Sequence, residues 1–158
     1  MCSKPGRLLI MACSRRKLQN DGLLPAIERY DGPAFRVLRR YLRSAPEAPL
    51  HTVILSAQFG LLAHDEPIPR YDQRMTPQRA EALRASVTEH LRRVLADAPY
   101  HEVFIHAGKE YRKTLAALDN YLGDRLYVTV AAGAPGRRLA ELHSWLRGKD
   151  IGGVGERA

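Results

Sequence analysis

Cys13-Ser14, followed at once by Arg15, Arg16 and Lys17, is the stretch of this chain best equipped for nucleophilic chemistry. An apolar run, RLLIMA at 7–12, delivers the thiol to the point where a buried strand would end. Three cations beside exposed backbone amides would hold an anion and favour the thiolate, the stronger nucleophile. The competing role is that a lone cysteine packs as a small hydrophobe. Cys2 is assigned nothing.

The second informative stretch is ILSAQFGLLAHDEPIPRYDQRMTP, residues 54–77. A connection this long inside a small domain is usually functional or disordered, and its prolines argue for a stiff one. Gly60 supplies a turn, Leu61 and Leu62 anchor the loop, and Pro67 and Pro69 lead to Tyr71-Asp72. A carboxylate held there serves as a general base or reads a donor edge of a ligand, against the alternative of an Asp that forms a turn or caps a helix. Arg70 and Arg74 flank it, with Asp65, Glu66 and Asp72 as candidate partners. His106 is a candidate proton carrier or a structural histidine, and Lys109 and Arg112 stand near a helix start where an anion could bind. The phosphate-loop and dinucleotide glycine spacings are absent. Six histidines without an i, i+4 pair predict no metal, and no cofactor is expected.

These residues need elements to position them. Apolar runs at 7–12, 51–57, 101–107 and 126–132 read as strands buried on both faces. Helical patterns lie between. Phe35, Leu38 and Leu42 share a face after Pro33; Ala80, Leu83, Val87, Leu91 and Val94 form a longer stripe after Thr76-Pro77. Another helix follows Gly108 with Tyr111, Leu115 and Leu118, and a last one runs from about Pro135 to Leu146. The alternation predicts a three-layer α/β/α, Rossmann-like domain with a mostly parallel sheet of four or five strands, over 1–147, and a flexible tail at 148–158. Ligands of such sheets sit beyond the strand carboxyl ends, here Cys13-Ser14, Ser56-Ala57-Gln58, His106-Ala107-Gly108 and Ala132-Gly133.

Composition narrows the partners. Two cysteines cannot build a disulfide framework, and no run approaches the length that crosses a bilayer, so a cytoplasmic protein without membrane association is expected. The net charge is +8, and twenty of the 25 cations are arginine. That balance favours a polyanionic partner, unless arginine simply replaces lysine throughout.

The order of Cys13-Ser14 with Lys17, LPAIERYDGPAFRVLRRYL at 24–42, ILSAQFGLL at 54–62, PRYD at 69–72, HAGKEY at 106–111 and RRLAELHSWL at 137–146 resembles the YaaA-like proteins, often labelled peroxide stress proteins. More distantly it is similar to the core domain of archaeosine synthase and to nitrile-processing enzymes of 7-deazaguanine modification. Lys17-Leu18-Gln19 stands where the archaeal motif has Lys-Pro-Tyr. The resemblance implies an α/β core and a site at Cys13, Ser14, Ser56, Tyr71 and Asp72.

The expectation from residues and resemblance together is an enzyme acting on a nucleobase, nucleotide or modified base in nucleic acid. Cys13 attacks or covalently binds an electrophilic carbon and Asp72 transfers protons, by nitrile or C–N chemistry; in an N-glycosidic variant Asp72 is the key carboxylate and Cys13 only lines the pocket. Ser14, Lys17, Ser56, Gln58, Tyr71, His106, Gly108 and Tyr111 bind the substrate, with Lys17 and nearby arginines holding phosphate. The alternatives are a non-catalytic DNA-binding protein of oxidative stress defence and a redox sensor using Cys13.

Overall fold

The computed structural model describes residues 6–116 and 126–148 and the backbone of 156–157. Its elements run β1 (Gly6–Ala12), β2 (Leu24–Pro25), α1 (Ala26–Arg29), α2 (Pro33–Ser44), β3 (Leu50–Ser56), β4 (Gly60–Ala63) and β5 (Pro67–Ile68). The second half continues with α3 (Pro77–Asp97), β6 (Tyr100–His106), α4 (Lys109–Arg112), a 3-10 turn over Lys113–Leu115, β7 (Tyr127–Val130), α5 (Pro135–Leu146) and β8 (Glu156–Arg157).

Strand order in the main sheet is β4-β3-β1-β6-β7-β8, with β3, β1, β6 and β7 parallel. The four expected strands are therefore present. A fifth, β4, pairs antiparallel with β3, and the two-residue β8 lies antiparallel on β7. β2 and β5 form a separate two-stranded ribbon. The stretch expected only to anchor a loop, Leu61-Leu62, instead lies in β4, entered through Gly60 at φ +75°. Leu118 and most of 148–158 lie outside the described residues, and with them the last apolar position of the helix after Gly108 and the flexible-tail expectation.

The apolar runs lack alternation because both sheet faces are covered. Leu8, Ile10, Val53, Leu55, Val103 and Ile105 pack on the stripe Ala80, Leu83, Val87, Leu91 and Val94 of α3. Leu9, Met11, Ile54 and Phe104 pack on Phe35, Leu38, Leu142, Trp145 and Leu146 from α2 and α5. Ile10 sits in register between Val53 and Ile105, at the centre of three layers. Helix starts follow local chemistry. Thr76 Oγ1 accepts the Arg79 N–H at 3.1 Å and Pro77 takes the first helical position, while Pro33 and Pro135 open α2 and α5.

Two arginines do structural work that composition does not reveal. Arg7 lies over the Trp145 ring, 4.4 Å from its centroid, and donates to the Leu146 carbonyl at 2.9 Å, fastening the end of α5 to β1. Arg29 is fully buried and pairs with no carboxylate among the described residues. Its Nη1 donates to Leu18 O and Asn20 O at 2.7 and 3.1 Å, and its Nη2 to Gly22 O and Ile68 O at 2.7 and 3.3 Å. One guanidinium thereby ties the loop after β1 to β5.

Between α1 and α2, Asp31 accepts from Arg36 at 2.9 Å and from Arg39 at 2.7 Å. The Arg36 hydrogen bond, reinforced by Arg39, lowers its carboxyl from 3.8 to about 2. A depressed carboxylate adds stability that is complete above the unfolded value and is lost as pH falls through the folded one. Asp31→Asn is therefore expected to flatten the acid limb of the stability curve between about pH 4 and 2. Urea melts at those pH values check it, and an acid limb identical to wild type counts against the pairing.

Candidate functional site

β1 lies between β3 and β6, so the chain leaves it in one direction and returns on the other side. Such a reversal opens a crevice beyond the strand carboxyl ends. A cleft of about 550 Å³ occupies that place, bounded by Ala12-Cys13-Ser14 after β1 and His106-Ala107-Gly108 after β6. The starts of α2 (Gly32, Pro33, Ala34, Phe35) and α5 (Pro135, Gly136, Arg138, Leu139) close its sides, with Tyr111 of α4. The volume suits a ring-sized ligand, and most of the lining is apolar.

Cys13 sits at the seam of the two cores, half-buried, with its backbone N–H on Leu55 O at 2.9 Å. Its Sγ lies 3.1 Å from the Tyr111 hydroxyl, and either group can donate. Ser14 Oγ donates to Arg16 O at 2.6 Å and accepts the Gly32 N–H at 3.2 Å. That approach requires glycine, since a Cβ on residue 32 would stand 2.8 Å from Ser14 Cβ.

Across the cleft, burial and the nearby Arg138 charge hold the His106 imidazole below its ordinary value, so it is neutral at pH 7. His106 Nε2 and Arg138 Nε are both buried without a hydrogen-bond partner. Behind them Glu141, nearly buried, accepts the Ala132 N–H at 3.0 Å and approaches Arg137 Nε at 3.4 Å. Arg138 itself has no ion pair among the described residues.

A hydroxyl cluster adjoins Cys13 on the β3 side. The Tyr30 and Tyr71 hydroxyls touch, and Ser56 Oγ is 3.0 Å from the Tyr71 hydroxyl. Ser56 Oγ also accepts the N–H groups of Gln58 and Phe59, both at 3.1 Å. Two accepted bonds fill its lone pairs, so its own proton goes to Tyr71. Lys17 Nζ lies 4.6 Å from the Tyr71 ring centroid and 5.8 Å from that of Tyr30. Burial first, and then the charge of Cys13, push the phenols of Tyr30, Tyr71 and Tyr111 upward. All three stay protonated at neutral pH.

Of the residues expected from the sequence, Cys13, Ser14, His106, Gly108 and Tyr111 line the cleft. Lys17, Ser56 and Tyr71 meet in the adjoining cluster. Gln58 is exposed, its carbonyl held by Arg79 Nη2 at 2.7 Å. Asp72 is exposed and lies outside the cleft lining, with no hydrogen bond or ion pair among the described residues. Arg70, given neighbouring acids as partners, pairs instead with Asp21 at 2.9 Å. The sequence reading missed Tyr30, Gly32, Arg138 and Glu141 as site residues. Tyr30 and Arg138 lie inside motifs already quoted, and Gly32-Pro33 announces a helix start facing the Cys-Ser turn. No three His, Cys, Asp or Glu side chains gather as a metal site among the described residues. No described helix is long and apolar enough to cross a membrane.

Comparison with known proteins adds fold and family. A model described as a family of unknown function matches residues 8–144. No curated protein matches the chain. Among solved structures, AF0587, a protein of unknown function, is similar with a TM-score of 0.54 at 16% identity. The match covers 92% of this chain and 46% of that one, so the chain spans about half its length. At that identity the likeness carries the α/β fold alone.

Proposed function

The chain belongs to the DUF6884 family, a family of unknown function, and from its cleft we propose an enzyme that acts on a nucleobase, free or within a nucleotide or nucleic acid. The observation that carries this reading is a half-open thiol in a ring-sized, mostly apolar slot at the sheet's reversal point. A flat heterocycle fits against Phe35, Ala107 and Leu139, with Arg138 beside it to hold a phosphate or carbonyl oxygen. Cys13 is the nucleophile that attacks an electrophilic ring or exocyclic carbon. Asp72, expected to transfer protons, is exposed and outside the lining of the slot, so the chemistry of this reading centres on Cys13. The resemblance to YaaA-like proteins and to enzymes of 7-deazaguanine modification is itself part of this proposal.

A second reading, a non-catalytic DNA-binding protein, draws on Arg15, Arg74, Lys109 and Arg112. These have no ion pair among the described residues and lie on segments near the strand carboxyl ends.

One experiment separates the two. Cys13 alkylation by iodoacetamide is timed in the presence of each free base and nucleoside monophosphate. Under the enzyme reading at least one slows it about tenfold when present at ten times its Kd. Protection by none, together with salt-sensitive oligonucleotide binding indifferent to Cys13→Ala, would leave the DNA-binding reading standing instead.

A further inference from the structure

Three phenols surround Cys13, and the structure gives them different duties. Tyr30 is fully buried, and it and Tyr71 are engaged with each other and with Ser56, away from the cleft lining. Tyr111 lines the cleft, and its hydroxyl has the Cys13 sulfur at 3.1 Å as its side-chain partner. Thr114 Oγ1 donates to the Tyr111 backbone carbonyl at 2.7 Å, fixing the turn that carries the ring without using the phenol. Asp72 is too peripheral to serve the sulfur directly, as it is exposed and outside the lining.

We propose that Tyr111 is the catalytic proton-transfer residue of this site, passing the thiol proton of Cys13 to the substrate atom that gains charge as the sulfur adds. The inference rests on the reading of Cys13 as nucleophile and names the group that completes it. A sulfur lone pair forms the S–C bond while the π pair of the attacked C=N or C=O bond moves onto its nitrogen or oxygen. That atom takes the Tyr111 hydroxyl proton, and the Tyr111 oxygen takes the proton leaving Cys13. Bonds and charge balance without any further reactant, and Tyr111 ends the step protonated. Burial, the largest cause, raises the Tyr111 phenol and keeps it in its donor form at every physiological pH. A phenol that touches both the nucleophile and the space where substrate lies meets the geometric requirement for a general acid.

The test compares two reagents on the whole chain, with alkylation followed at Cys13 separately from Cys2. N-ethylmaleimide gathers negative charge on its carbonyl oxygen as the sulfur adds, the charge a positioned acid neutralises in that same step, whereas iodoacetamide expels iodide and needs no acid. Any change in thiolate fraction alters both rates equally, so their ratio isolates proton donation. Tyr111→Phe is expected to lower the ratio of maleimide to iodoacetamide rates about tenfold or more. A ratio within about twofold of wild type overturns the proposal. Should the variant fail to fold, the wild-type protein decides. A solvent deuterium isotope effect larger for maleimide than for iodoacetamide supports the role, and equal effects overturn it. Neither measurement involves a nucleobase, so failure of the nucleobase reading would show separately, in the protection experiment.

Discussion

Arg29→Met is expected to lower the thermal midpoint by about 10 °C, corresponding to a loss of about 3–4 kcal/mol. The side chain is fully buried and its guanidinium supplies four hydrogen bonds to backbone carbonyls of Leu18, Asn20, Gly22 and Ile68. Methionine roughly fills the volume of the stem but donates nothing. The Ile68 carbonyl lies in a buried residue and loses this donor, whereas the three loop carbonyls can turn to water only by letting the loop after β1 come away. Arg29→Lys is expected to recover little, because a single ammonium cannot span four acceptors held in a fork. Differential scanning calorimetry checks both variants, and a midpoint within 2 °C of wild type for the methionine variant would show that the loop holds itself.

Cys13→Ser is expected to abolish turnover, by on the order of a thousandfold or more, on whichever base the protection experiment selects. At that level the barrier rises by about 4 kcal/mol. Serine keeps the size and a hydrogen bond to Tyr111, yet its hydroxyl stays protonated where a thiol can ionise. Affinity for the same base should change by less than about threefold, since the slot is built mostly from α2, α5 and the Ala107 turn. Turnover that survives in the serine variant would reduce Cys13 to a wall of the pocket.

The fold was legible where burial is two-sided. RLLIMA, HTVILSA and HEVFIHA are continuous apolar runs because each strand feeds both cores, and the stripe on α3 keeps a clean helical period. β4 was not legible, since four residues after a tight turn are too few to display a period. The site was legible as far as strand ends could be placed: Cys13, Ser14, His106 and Gly108 follow from the parallel topology alone. Arg29 was hidden, because a lone arginine in a short helix looks like a surface residue until four carbonyls are seen to converge on it. Asp72 depended on the path of the long connection, and local sequence does not encode where such a chain travels. Arg138 was readable only as one of many arginines, and its place beside His106 comes from how α5 docks on the sheet.

The central position of β1 also governs how this protein must be assembled. Leu55 and His106, which stand in register with Ala12 and Met11 at the end of β1, come from distant parts of the chain, and both pairings have to close before the thiol has walls around it. The sheet is dominated by such non-local contacts, which make folding slow relative to a helical bundle of equal size. Chain ending before β6 holds the nucleophile and the loop cations but no pocket. The thiol therefore gains its last walls only when the start of α5 has been made and has docked on the sheet, so the pocket forms well after its nucleophile.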